Sequence, residues 1–356
     1  MNKNHSNNFY VIGMMSGTSL DGLDICYVHF NFSTTWHYEI IYADTLPYST
    51  YWVQKLAFAH LQTKSYVETL NLEYSNYLNH KIHEFISKYA IQSLDLIASH
   101  GHTIWHQPDK GFTKQIGDHR NLVKNLKVPV VVDFRTQDVE FGGQGAPLVP
   151  VGDSLLFSDF DACLNFGGFA NVSMRINQQL IAFDVCPFNK VLNHYANQLG
   201  KDFDEGGHIA ATNNVNKSLL KALNGLEYYQ KKPPKSLGVE YLNSIVFPLI
   251  DKYNITNEVK IATFSKHISI QIAEVIKNHS SVFITGGGAY NKYIINQLYQ
   301  AVNTKLILPE RKVIDFKEAF IFGFLGVLKY LGEINVISTV TGACKSHSSG
   351  KIIQPS

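Results

Sequence analysis

The chain has 356 residues, 45% apolar and 17% charged, with 22 Phe and 19 Tyr, which excludes a disordered protein and favours two lobes over one small core. The formal net charge is +2 and no Lys/Arg run exceeds a pair such as Lys231 and Lys232, which argues against nucleic acid as a partner. The N-terminus lacks an apolar leader, and the apolar run Ala319–Leu331 is broken by Gly323, Gly326 and Lys329, so neither secretion nor membrane spanning is expected and the chain is read as cytoplasmic.

In chain order, Tyr10 to Phe32 reads as a strand, a Gly/Ser/Thr turn at Ser16–Gly22, and a second strand from Asp24. A third β-like run covers Tyr38–Tyr42. Helical periodicity follows from about Tyr66 to Tyr89, with Leu70, Leu72, Tyr77, Leu78, Ile82 and Phe85 approximating one face. Short apolar strands at Leu94–Ser99 and Val128–Phe134 end in polar residues, as buried parallel strands do when their carboxyl ends line a site.

The opening pattern returns at Ala162–Phe166, Gly167–Gly168 and Phe169–Ile176. This recurrence predicts an internally duplicated α/β fold with lobes at 1–150 and 151–356. A strand at Leu180–Asp184 then leads into a helix at Phe188–Leu199. The last units are a strand Val282–Thr285, a glycine turn Gly286–Gly288, a helix from about Asn291, a strand Lys305–Leu308 and a helix from about Phe316 to Leu331. The tail after Gly332, rich in Thr, Ser and Gly, is expected to loop back over the surface.

The segment Gly13-Met-Met-Ser-Gly-Thr-Ser-Leu-Asp-Gly-Leu-Asp24 has the composition of a phosphate cradle: glycines let main-chain N–H groups approach an anion, and hydroxyls add donors. A strand follows it where a Walker A loop or a dinucleotide fingerprint needs a helix, so neither of those loops is present. An ordinary hairpin turn is the competing reading. Asp21 and Asp24 are suited to hold a hydrated Mg2+ near a triphosphate. Arg135, read as the carboxyl end of a strand, suits bidentate recognition of a carboxylate or polar sugar face, or else a structural ion pair. His100, His102 and His106 invite a metal reading, against which stands the use of such residues in local hydrogen bonds.

Asp184, at the end of an apolar strand, is either a general base or a helix N-terminal residue; its position in the sequence does not separate the two. Cys186 has no paired His motif and reads as a buried thiol, with an acyl-transfer nucleophile as the alternative. Cys26, Cys163, Cys186 and Cys344 lie far apart without CxxC or Cys/His ligand spacing and read as reduced thiols. Gly286–Gly288 sits between strand and helix, where an adenine or ribose can lie against main chain or where glycine serves packing. Glu318 is expected in the first turn of the last long helix, a position favourable to its dipole.

Taken together, these segments resemble one family, the anhydro-N-acetylmuramic acid kinases, in order from Ile12 to Ala343. The matching pieces are Gly13 to Asp24 as quoted above, Ser99-His-Gly-His-Thr103, Asp133-Phe-Arg135 with Gly142-Gly-Gln-Gly-Ala-Pro-Leu148, Asn165-Phe-Gly-Gly-Phe-Ala-Asn171, Phe183-Asp184 with Pro187 and Asn189, Pro233-Pro-Lys-Ser236, Gly286-Gly-Gly-Ala289 with Asn291, Glu318-Ala319 and Val340-Thr-Gly-Ala343. The resemblance implies a two-lobe actin-like ATPase fold, a duplicated ribonuclease H-like α/β architecture with ATP in an interlobe cleft. It also implies ATP and Mg2+ as cofactors, an anhydrosugar as substrate and a homodimer. The reaction it implies is hydrolytic opening of 1,6-anhydro-N-acetylmuramic acid with phosphorylation of O6.

Carried over residue by residue, the resemblance makes Gly17, Thr18, Ser19, Leu20, Asp21, Gly22, Leu23 and Asp24 the phosphate segment, with Gly167 and Gly168 as the second nucleotide-side turn. Gly286, Gly287 and Gly288 approach the nucleoside, Asp184 activates the attacking water, and Thr103, Arg135 and Glu318 hold the sugar. Two departures stand out. Where the family commonly has Asp-Thr-Gly-Pro-Gly-Asn this chain has Asp184-Val-Cys-Pro-Phe-Asn189, and His-Gly-Gln-Thr has become His100-Gly-His-Thr103. They leave open a kinase for a related anhydrosugar, or a non-catalytic ATP-binding sensor of the same superfamily.

Overall fold

The computed structural model describes residues 7–17 and 19–355; Thr18, one of the residues expected at the nucleotide phosphates, lies outside them. The chain forms two compact units, Met1–Leu156 with Phe316–Ser356, and Phe157–Asp315. The sequence reading placed all of 151–356 in the second lobe; in the structure the chain returns to the first unit after Asp315.

The first unit opens with β1 (Asn8–Ser16), β2 (Gly22–Phe32) and β3 (Trp36–Pro47), continues with β4 (Leu96–Ser99), β5 (His102–Gln107), β6 (Phe112–Ile116) and β7 (Val130–Val132), and the second unit contributes β8 (Ala162–Phe166), β9 (Phe169–Ile176), β10 (Gln179–Pro187), β11 (Ser281–Thr285) and β12 (Lys305–Ile307) before β13 (Lys351–Ile353) returns to the first. The six-stranded sheet runs β13-β7-β4-β1-β2-β3, with β5 and β6 forming a separate ribbon. β1 is antiparallel to β2 and parallel to β4, because a short turn joins the first pair while the helix Lys64–Lys88 crosses over before the second. That helix is capped by Thr63, whose hydroxyl accepts from the Tyr66 amide, and buries Val67, Leu70, Tyr74, Leu78, Ile82 and Phe85 at three- and four-residue spacing. Leu72, read from the sequence onto that face, is exposed.

The last long helix, Arg311–Tyr330, starts ahead of the expected Phe316, so Glu318 lies well inside it and is not a first-turn residue. Phe320, Phe322, Phe324 and Leu325 are almost fully buried, and each such side chain contributes about 1.5–3 kcal/mol by leaving water. The helix crosses β1 at a glycine pair: a Cβ on Gly13 would stand 2.2 Å from the Ala319 carbonyl oxygen, and one on Gly323 would stand 3.3 Å from Gly13 Cα. The tail is not a surface loop. Asn335, Thr341 and Ser349 are buried, Asn335 Nδ2 donates to the Leu325 and Ser349 carbonyls, and β13 pairs antiparallel with β7.

In the second unit the sheet order is β10-β9-β8-β11-β12. Its two antiparallel pairs followed by two parallel pairs match those of β3-β2-β1-β4-β7, so the repeat legible at Ala162 is a true duplication of topology. The helix Asn257–Ile276, capped by Thr256, packs against this sheet with Ile261, Phe264, Ile268, Ile272 and Ile276 buried.

Candidate active site

In the first unit the segment expected at the nucleotide phosphates leads from β1 into the start of β2. Gly17, Ser19, Leu20 and Asp21 lie between the two strands, whereas Gly22, Leu23 and Asp24 already belong to β2. Leu20 adopts a φ of 61° and its amide meets the Gly17 carbonyl at 3.5 Å. Asp21 Oδ1 accepts from the Ser19 hydroxyl at 2.7 Å and from the Gly22 amide at 3.0 Å. Asp24 Oδ1 accepts from the Thr45 hydroxyl at 2.6 Å, and the Leu23 side chain is part of the core. Ser16, directly before the turn, is buried. Its Oγ lies 2.8 Å from His102 Nδ1 and 2.7 Å from Tyr48 Oη, which is 2.6 Å from Tyr74 Oη. This ties the strand that carries the turn to the segment that carries Thr103.

Arg135 does not end a strand as expected: β7 stops at Val132, and Arg135 directly precedes the helix Thr136–Glu140. Its Nε donates to His100 Nε2 at 2.8 Å and its NH1 to the Gly145 carbonyl at 2.5 Å. A guanidinium only donates, so His100 accepts at Nε2 and carries its proton on Nδ1, 3.0 Å from the Gly101 carbonyl. Burial and the neighbouring guanidinium hold His100 well below the ordinary histidine range, and burial alone lowers His102 to about 4. Burial lowers Arg135 itself to about 10, although Glu318 and Asp138 pull the other way. Glu318 remains accessible to solvent, while the protein around it raises its carboxyl above the usual range against the cations of Arg135 and Lys317. Thr103 accepts from Gln115 Nε2 at 3.3 Å, and His106 Nδ1 lies 3.1 Å from Thr113 Oγ1, so each of the three histidines has its own local partner.

In the second unit Asp184 lies within β10, where the pairing with β9 slips between Asp184 and Cys186. The helix that follows starts at Asn189, so Asp184 does not cap it. A bulge re-aims a side chain, and here two contacts fix the main chain and one the carboxylate: the Asp184 amide donates to the Lys235 carbonyl, Tyr228 Oη donates to the Asp184 carbonyl at 2.6 Å, and the Leu237 amide donates to Oδ2 at 2.8 Å. Desolvation raises the half-buried carboxyl above the ordinary range, and the Leu237 amide partly offsets this. Cys186 is fully buried and its thiol is pushed up by desolvation, which removes the thiolate an acyl-transfer nucleophile needs.

The two glycine turns of this unit differ. The Gly167 and Gly168 carbonyls accept from the amides of Phe188, Asn189 and Lys190, fastening the hairpin to the next helix. At Gly286 and Gly288 a Cβ would collide with Phe166 and Phe188, whereas Gly287 has nothing within 4 Å of that position. Gly287 and Gly288 border a cavity of about 290 Å³ together with Asn189, Asn193, Phe203 and Asp204. Its rim is built by capping: Asp204 accepts from the Ile209 and Ala210 amides, and Asn291 Oδ1 from the Ile294 amide.

A family model described as anhydro-N-acetylmuramic acid kinase matches residues 9–355. The anhydro-N-acetylmuramic acid kinase of Haemophilus influenzae is 30% identical over 96% of this chain and 97% of its own length. That of Francisella tularensis subsp. novicida is 32% identical over 94% and 96%. The chain belongs to the anhydro-N-acetylmuramic acid kinase family. Among solved structures, a ROK family glucokinase from Streptomyces griseus in complex with glucose and AMPPNP aligns over 89% of this chain and 99% of that one, at 10% identity and a TM-score of 0.41, too slight a likeness to carry an argument.

Within this family member, the sequence singled out neither Phe203 nor Asp204, and it gave the matched segment Pro233–Ser236 no role, although the Lys235 carbonyl and the Leu237 amide hold Asp184. The run Phe203-Asp204-Glu205-Gly206-Gly207, an aromatic residue beside carboxylates and a glycine pair, was the available signal for the first two. No described helix is long and apolar enough to cross a membrane.

Proposed function

We propose that this chain is a cytoplasmic ATP-dependent kinase that opens 1,6-anhydro-N-acetylmuramic acid with water and phosphorylates O6, giving N-acetylmuramic acid 6-phosphate in peptidoglycan recycling and amino-sugar catabolism. The observation that carries the reading is the Asp184 carboxylate. One oxygen is held by the Leu237 amide, the strand is bulged to present it, and desolvation strengthens it as a base. Asp184 takes a proton from water as its oxygen bonds to C1, the C1–O6 bond breaks, and O6 takes the γ-phosphoryl group as ADP leaves. Arg135, with Nε and one NH1 hydrogen already committed, keeps its remaining N–H groups for the sugar, alongside Thr103 and Glu318.

The turn Gly17–Asp21 serves the ATP phosphates, and the cavity beside Gly287 and Gly288 suits a nucleoside, with Phe203 as an aromatic wall. Among the described residues no group of three or more His, Cys, Asp and Glu forms a metal cage. The exposed Asp21 carboxylate fits a Mg2+ that arrives on the nucleotide, as that ion takes one or two carboxylates plus phosphates. When bound, Mg2+ offsets charge on the transferring phosphoryl group.

The departures from the family pattern do not disturb this reading. Val185 and Cys186 are buried, Phe188 stacks on Phe166 with centroids 4.9 Å apart, and His102 is spent on Ser16, so these side chains point into the core. Purified protein with Mg-ATP and the anhydrosugar in labelled water is expected to yield a 6-phosphorylated sugar with one labelled oxygen at C1, read by mass spectrometry. No turnover with this sugar or its relatives would leave the ATP-binding sensor.

A further inference from the structure

The segment Val340–Ala343 matched the family pattern without receiving a role, and the structure supplies one. Thr341 Oγ1 donates to Asp138 Oδ1 at 2.7 Å, and the Gly145 amide donates to Asp138 Oδ2 at 2.7 Å. Asp138 is fully buried, Thr341 nearly so, and His347 Nε2 lies 3.8 Å from the same Oδ1. Two main-chain bonds reinforce the contact: the Gln144 amide donates to the Thr341 carbonyl at 2.8 Å, and the Cys344 amide donates to the Phe141 carbonyl at 2.9 Å. The Gly145 carbonyl in turn accepts from Arg135 NH1, and Arg135 Nε donates to His100.

Every donor in this series is fixed by chemistry. A carboxylate only accepts, a guanidinium only donates, and main-chain groups have one role each. The run Thr341 to Asp138 to Gly145 to Arg135 to His100 therefore has a single proton arrangement and no freedom to reverse. Gly143 adds a steric reason for the loop's shape, since a Cβ there would stand 2.2 Å from Asp138 Oδ2.

We propose that Asp138 and Thr341 are positioning residues for the sugar-binding guanidinium of Arg135: the buried carboxylate holds Gly145 so that its carbonyl can fix one edge of Arg135, and the hydroxyl of Thr341 holds the carboxylate. This rests on the proposed function in taking Arg135 as a sugar contact. Neither residue touches substrate. Their effect is on the orientation of Arg135, and small errors in such supporting groups cost binding at the group they support.

The test uses the full chain with Mg-ATP and 1,6-anhydro-N-acetylmuramic acid. Thr341→Val keeps the shape and removes the hydroxyl; it is expected to raise the sugar KM about tenfold, as losing a hydrogen bond to a buried charge does. The ATP KM and kcat are expected to stay within about twofold, and Thr341→Ser to restore the sugar KM. Equal changes in both KM values, or a serine variant no better than the valine one, overturn the proposal. A second measurement needs no activity: nitrogen NMR of the wild-type protein is expected to show His100 protonated at Nδ1, and in Arg135→Ala the proton is expected to stay there, held by the Gly101 carbonyl, while the Nε2 resonance shifts as its donor is lost. Protonation at Nε2 in the wild type overturns the hydrogen-bond series itself. If the wild type leaves the anhydrosugar untouched while His100 carries its proton on Nδ1, the substrate reading and the sugar-positioning role fall together and the network stands.

Discussion

The Leu237 amide sits 2.8 Å from Oδ2 of Asp184 and commits that oxygen, which leaves Oδ1 for the water of the proposed reaction. Asp184→Asn keeps an acceptor for the amide and removes the proposed base. Turnover is expected to fall by about 10²- to 10⁴-fold with ATP binding retained, measured by single-turnover kinetics and nucleotide titration.

The same residue links stability to pH. Because desolvation raises its pKa in the folded state, the folded protein binds this proton more tightly than the unfolded chain does. The stability it contributes is present at low pH and lost as pH rises through the folded value. Asp184→Asn is therefore expected to melt above the wild type at neutral pH, with the gap closing on acidification, and the acidic limb of kcat/KM to lie above the ordinary aspartate range.

Two glycines should respond in opposite ways to alanine. Gly13→Ala drives a methyl group into the Ala319 carbonyl, a backbone atom that cannot swing aside, and is expected to cost about 3 kcal/mol or prevent folding. Gly287→Ala meets nothing within 4 Å, so its urea midpoint should match the wild type while the ATP KM rises. A loss of stability at Gly287 with unchanged ATP KM would remove that glycine from the nucleoside site.

Lys317 Nζ and Asp153 Oδ1 pair at 2.7 Å with both side chains buried. Asp153→Ala removes the carboxylate that this buried cation pairs with and is expected to cost about 3–5 kcal/mol in denaturant unfolding. The double variant Asp153→Leu with Lys317→Met removes both charges and is expected to recover most of that loss.

Buried neutral histidines set the acid limit of the fold. His102 is lowered to about 4, and His267, held between Asn224 and Tyr229, to about 3, both by desolvation. For a depressed histidine the stability is present above the unfolded value near 6.5 and is lost as pH falls toward the folded one. Each contributes about 2 kcal/mol of loss between pH 6.5 and 5. His267→Gln is expected to reduce proton uptake on unfolding at pH 5 by about one, measured from the slope of unfolding free energy against pH.

What could be read before the coordinates was whatever repeats or punctuates. The strand, glycine turn and strand of Tyr10–Phe32 and their return at Ala162–Ile176 announced the duplicated sheets, and the helix expected from about Asn291 begins there, with Asn291 capping it. Three-dimensional neighbours were not legible. Nothing local marks Leu237 as the partner of Asp184 across 53 positions, or Thr341 as the partner of Asp138 across 203. The start of the last helix was misplaced because Val313 and Ile314, which are buried, are flanked in the sequence by the charged Arg311, Lys312 and Asp315 and make too short an apolar run to show helical spacing. The tail was taken for a surface loop because serine and threonine look exposed until their hydroxyls are matched to buried carbonyls, as Ser349 is to Phe134.

The return of the chain to its first unit has a consequence for biosynthesis. The second unit is continuous and can close once Asp315 has left the ribosome, but the first must wait for the helix that crosses Gly13 and for the strand that pairs with β7. At about 5–20 residues per second, a half-built sheet stays uncovered for on the order of 10 s in each nascent chain. That interval is when a holdase chaperone has most to protect.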